Sequence, residues 1–172
     1  MAGKTPYQAV QNFLAPLQRA ISCVSRAVIQ HGGKEYEVNA GPYALVVGGK
    51  CKLKRSPSLT LDIRMQYKIV EASGARGPCT VKVTAYMYIV EDHRGHEVFS
   101  YHWQPDSPEV KFPHLHVEHP AFPKAHLPTG RISLEEVLKL LITDFGVRPL
   151  KPNWEKILTE TLGKFSAYRT WS

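Results

Sequence analysis

Four histidines, His102, His114, His116 and His119, fall within the nineteen residues "YHWQPDSPEVKFPHLHVEH", and His126 follows seven residues later. Histidine changes charge close to neutral pH and is the commonest metal ligand, so three chemistries are open. In the first, two imidazoles cleave a phosphodiester without a metal: one takes the 2′-hydroxyl proton and the other protonates the leaving oxygen. His114 and His116 are the catalytic candidates, with His102 assisting. In the second, the His-x-His pair holds zinc or another first-row metal. The candidate set is then His114, His116 and His126, with His102 or His119 as other third ligands and Asp106 or Glu118 as helpers. In the third, the rings are hydrogen-bonded packing residues of aromatic-rich strands. No HExxH pattern or paired acidic motif accompanies the histidines. Metal-free ribonuclease-like cleavage with no cofactor is the leading expectation; a non-catalytic nucleic-acid- or protein-binding module is the alternative, and a metal-dependent hydrolase, with zinc as the alternative cofactor, comes third.

Cleavage of this kind also needs a cation to steady the charge that develops on phosphorus. Arg131 is the candidate. It lies two residues before Ser133, and Ser133-Leu134-Glu135-Glu136 has the spacing of a capping box, where a helix start attracts anions. Tyr86 and Tyr88 are candidates to stack on a base. Lys50, Lys52, Lys54 and Arg55 form the densest basic run, and residues 1–56 carry +6 of the net charge of +7. Such a run attracts a phosphate backbone. It also suits a strand edge guarded against aggregation. The partner expected from this balance is RNA or another nucleic acid.

The elements that would position these residues follow from periodicity. Thr5, Pro6 and Gln8 have the pattern of a helix start. Val10, Phe13, Leu14, Leu17, Ile21, Val24 and Val28 then recur at helical steps, and His31-Gly32-Gly33 reads as the end. Pro16 should kink or split that helix. Residues 35–40 and 43–55 read as strands, with Gly48-Gly49 as a bulge or turn. From Leu59 to Ile69 apolar and polar residues alternate, as in a strand with one wet face. In the next strand Val81, Val83, Ala85, Met87 and Ile89 form one set, which puts Tyr86 and Tyr88 on the other. "EVFSYHW" and "HLHV" complete the run, and the proline-rich stretch carrying His126 reads as connection. Leu134, Val137, Leu138, Leu141 and Phe145 line a second helix, and Trp154, Ile157, Leu158, Thr161, Leu162 and Phe165 a third.

A helix at residues 1–33, consecutive strands at 35–118 and two helices at 133–166 make one α+β domain over 1–172. The sheet is twisted, antiparallel and meander-like, and the helices cover one of its faces. If Leu115 and Val117 face the core, His114 and His116 face away from it. If Phe99, Tyr101 and Trp103 face the core, His102 joins them. The expectation is an open face carrying these histidines beside Arg64, Lys68, Tyr86 and Tyr88. No apolar stretch approaches the roughly 20 residues of a membrane helix. The N-terminus lacks a signal-peptide pattern, and three scattered cysteines fit reduced thiols, so a cytoplasmic location away from membranes is expected.

The residues "YHWQP…PHLHV" followed by "LPTGRISLEEVLKLLITDFGV" resemble an uncharacterised bacterial family with this pattern. More distantly they resemble the TumE-type toxins of toxin–antitoxin pairs. The similarity covers roughly residues 58–145, and the basic segment up to Arg55 has no counterpart in it. The resemblance implies a toxin acting on RNA, a ribonuclease, neutralised by an antitoxin partner.

Overall fold

Every second residue from Leu59 to Ile69 is apolar, so this stretch extends with one dry face. The computed structural model, which describes residues 2–33, 35–72, 77–118 and 125–166, places it near the middle of an open antiparallel sheet. Among the described residues the strands are β1 (Ala2–Gly3), β2 (Ile29–His31), β3 (Tyr43–Val47), β4 (Cys51–Leu53), β5 (Leu59–Glu71), β6 (Cys79–Glu91), β7 (Glu97–Trp103), β8 (His114–Val117) and β9 (His126–Pro128). Their order is β2-β3-β5-β6-β7-β8-β9, with β1 beside β6 and β4 beside β5. Three helices, α1 (Pro6–Ile21), α2 (Leu134–Thr143) and α3 (Trp154–Ser166), pack on one face. The fold is α+β, as the order of elements implies. No helix among the described residues is long and apolar enough to cross a membrane.

The apolar helix stripes meet the dry face of the sheet. Val10, Phe13, Leu17 and Ile21 from α1 and Val137, Leu138 and Leu141 from α2 are buried with Leu61, Ile63, Tyr67 and Ile69. Burying one such side chain contributes about 2 kcal/mol. The helix starts are capped as their sequences suggest. Thr5 accepts from the Gln8 backbone N–H at 3.2 Å. Ser133 and Glu136 exchange side-chain and backbone bonds at 3.2 and 2.8 Å.

Several boundaries differ from the sequence reading. The first helix ends at Ile21, and Ile29–His31 is an edge strand on β3. Val24 therefore reaches the core from a turn. Pro16 sits inside an uninterrupted helix, buried against the core. Its missing N–H removes one helix bond, and tertiary packing outweighs that loss. Residues 35–40 form no strand, because Asn39 turns the chain with a φ of 63°. Gly48-Gly49 is a bend between β3 and β4, which pair with successive parts of β5. His126, read as part of a connection, lies in β9.

The largest difference lies in β6. Gln66 pairs with Ala85 and Tyr67 with Val83, so Thr84 is an extra, unpaired residue. Such a bulge reverses the facing of all that follows. Before it, Cys79, Val81 and Val83 face the helices; after it, Tyr86, Tyr88 and Val90 do. The open-face placement of Tyr86 and Tyr88 is thus corrected. Both are 2% exposed and stacked at 4.9 Å. Deleting Thr84 should turn both rings toward water and empty the core beneath α2. The expected loss exceeds about 4 kcal/mol, or folding fails outright, as urea unfolding would show.

The core also holds a carboxyl. Glu135, in the first turn of α2, is 2% exposed, and neither of its oxygens has a hydrogen-bond partner among the described residues. Burial raises its pKa to about 7. A raised pKa in the folded state means that stability is complete at low pH. It falls as pH climbs from the unfolded carboxyl's range through about 7. Glu135→Gln should abolish this decline. Its stability advantage should grow across that window toward about 3 kcal/mol, measured by urea unfolding at a series of pH values.

Candidate metal centre

Strand parity assembles the site. Phe99, Tyr101 and Trp103 of β7 point to the helix side, so Ser100 and His102 point away. On β8, Leu115 shares the side of Tyr101, and His114 and His116 share the side of His102 and Ser100. Two rows result across the outer face. One runs Met87, His102, His114, Pro128, and the other runs Ile89, Ser100, His116, His126. No histidine of this group lies under a helix.

The rings are close. His102 is 5.5 Å from His114 and 4.7 Å from His116 between centroids, and His114 and His116 are 4.9 Å apart. His126 stands 5.0 Å from His114 and 4.4 Å from His116. One ring nitrogen each from His102, His114 and His116 lies within 4.8 Å of the others. His119 lies outside the described residues. Asp106 and Glu118 are exposed and join no such group.

Each ring is prepared differently. His114 is 4% exposed, and its Nδ1 sits 2.8 Å from the Phe112 carbonyl oxygen. A carbonyl only accepts, so Nδ1 is the donor of this bond, and Nε2 is the nitrogen left to act as a ligand. A backbone carbonyl holding the far nitrogen is the usual support of a metal-bound histidine. His102 Nε2 and His116 Nε2 are buried without a hydrogen-bond partner. Burial, reinforced by the neighbouring rings, lowers the pKa of His102 to about 4 and pushes that of His116 down as well. These two imidazoles are neutral near pH 7.

This state bears on both chemistries expected of the cluster. A metal-free acid–base pair needs one protonated ring, which desolvation and the neighbouring rings oppose at His102 and His116; a metal needs neutral nitrogens, which these two present. Tetrahedral zinc at about 2.1 Å from each nitrogen sets them roughly 3.4 Å apart, and here they lie within 4.8 Å. The domain thus carries a histidine triad capable of coordinating a metal. The expectation of a site without cofactor is corrected by that cluster. The group that could hold a metal is His102, His114 and His116, His102 being among the third ligands expected, and His126 stands beside it.

The other candidates lie elsewhere. Arg131 places its guanidinium carbon 3.3 Å above the ring of Trp103, on the helix side of the sheet. The Tyr86 hydroxyl accepts from the Ile132 backbone N–H at 3.0 Å. Arg131 and the two tyrosines are therefore separated from the histidines by the sheet, and the joint phosphate site expected of them does not form. Lys50, Lys52, Lys54 and Arg55 belong to β4 and its flanks, three strand spacings from β7, or roughly 14 Å. Lys50 pairs with Glu91. Phe112 was not recognisable beforehand, because a carbonyl contribution leaves no mark in residue type. His126 was the nearest sequence signal to a fourth member of the cluster.

The chain matches no protein-family model, no curated protein and no solved structure. The chemistry of its site therefore rests on its own geometry.

Because Arg131 stacks on Trp103, Arg131→Met should lower stability by about 1 kcal/mol, in the range of a partly buried cation–π contact. Metal content should be unchanged. Thermal unfolding followed by tryptophan fluorescence, with metal analysis of the same sample, checks both outcomes.

Proposed function

We propose that His102, His114 and His116 bind one divalent first-row metal ion, most fittingly zinc, and that the chain is a metal-dependent hydrolase working at this outer face. The observation that carries the proposal is the gathering of one ring nitrogen each from His102, His114 and His116 inside 4.8 Å, in a cluster where the Nε2 atoms of His102 and His116 are buried without a partner. A buried polar atom without a partner costs about 1–3 kcal/mol. A metal ion would satisfy both atoms at once.

Three imidazole ligands leave a fourth position for water or substrate, the arrangement of catalytic rather than structural zinc sites. Bound there, a metal ion supplies Lewis acidity and brings the pKa of water toward neutrality. The chain's own residues do the rest. Two paired strands hold His102, His114 and His116 on one surface, and the Phe112 carbonyl fixes the His114 tautomer. His126 stands beside the ligands, where its ring can orient a polar substrate group. The net charge of +7 suits an anionic substrate such as a phosphodiester.

Reconstitution with cobalt(II) tests the site. We expect one equivalent per chain with the visible absorption of a four-coordinate ion. His102→Ala, His114→Ala and His116→Ala should each weaken binding by about 100-fold or more. Hydrolysis of bis(p-nitrophenyl) phosphate should stop in chelator and return with zinc. Absence of stoichiometric metal, or an unchanged spectrum in His116→Ala, overturns the site. Metal binding without hydrolysis ends the hydrolase reading alone.

A further inference from the structure

The connection after α1 runs alongside β4, and the two are pinned in place by one segment. The Arg148 backbone N–H donates to the Lys54 carbonyl at 2.8 Å, and that of Leu150 to the Cys23 carbonyl at 2.7 Å. Between these walls lies a cavity of about 500 Å³, lined by Ser25, Arg26, Lys50, Lys52, Lys54 and Leu150 among others. Among the described residues no carboxylate lines it. Lys50 has Glu91 as a partner outside the wall. Among the described residues no carboxylate pairs with Arg26, Lys52 or Lys54. Like charges collected without counter-charge repel one another, which an anionic ligand would relieve.

Spacing selects the kind of anion. Lys50, Lys52 and Lys54 alternate with buried Cys51 and Leu53, so they project from one side at intervals of about 7 Å. That is a repeat suited to successive phosphates of an extended single strand. Among the described residues no aromatic ring lines the cavity, so charge and spacing are read here and base identity is not.

We propose that Arg26, Lys50, Lys52 and Lys54 form a binding track for the sugar–phosphate backbone of single-stranded nucleic acid, separate from the histidine cluster. The track is sequence-blind and salt-sensitive, and it works without metal.

Fluorescence anisotropy with a labelled twelve-nucleotide oligouridylate, in chelator, tests it. With three or four phosphates engaged, log K against log salt should fall with a slope of roughly −2 to −3. Single-stranded DNA of matching length should bind within a few-fold. Lys52→Glu with Lys54→Glu should weaken binding at least tenfold and flatten the slope, with the circular dichroism and unfolding midpoint of the wild type. Because the charge swap could disturb β4, Arg26→Gln, on the facing wall, is measured as well and should weaken binding several-fold. Because binding is measured in chelator, the result is independent of the metal proposal. Unchanged affinity in both the double variant and Arg26→Gln, or no salt dependence, overturns the track. Inorganic tripolyphosphate competing as strongly per phosphate as the oligonucleotide overturns the nucleic-acid assignment.

Discussion

His102 faces His114 across β7 and β8, and the functional side of the molecule depends on that one register. It is held from the other face. Phe99 and Trp103 are buried against the helices, with Tyr101 and Leu115 packed partly against the same core. Each buried ring or aliphatic group contributes about 2 kcal/mol, so a slip of β8 by one residue would turn Leu115 out of the core and His114 and His116 into it. The apolar residues of β7 and β8 thus aim the histidines without touching them.

The sheet separates two electrostatic settings. On the helix side, Arg131 lies over Trp103, and the Glu135 carboxyl, shut away from water, holds its proton to about pH 7. On the outer side, half-buried imidazoles crowd together. Desolvation and mutual repulsion both favour the neutral ring. The neutral ring is the form in which an imidazole can coordinate a metal. The buried Ser100 hydroxyl, which faces His116 across the strands, donates to Glu97 at 2.6 Å. It ties an acidic group to the edge of the cluster and leaves the His116 Nε2 without a protein partner.

The alternation of Leu59 to Ile69 marked a half-wet strand, and the apolar stripes of α1, α2 and α3 marked helices for its dry face. Both features are local, since side-chain period and capping residues are written in consecutive positions. The parity of His102, His114 and His116 was legible for the same reason, because Phe99, Tyr101, Trp103 and Leu115 alternate with them. Tyr86 and Tyr88 were misread because Val81, Val83, Ala85, Met87 and Ile89 keep an apolar alternation straight through the bulge. Thr84 has no residue-type signature that marks it as the extra residue.

What the amino-acid order determined by itself was the class of fold and that His114 and His116 share one face of their strand, because both follow from periods of two and 3.6 residues; which face that is waited on the pairing of β7 with β8. Only the tertiary structure decided which three imidazoles meet, that Phe112 supports one of them through its carbonyl, and that Arg131 lies across the sheet from all of them. Arg26 facing Lys52 and Lys54 across a cavity is of the same kind. These relations join residues far apart in the chain, and pairing register, a single bulge and the packing of helices on one face settle them together.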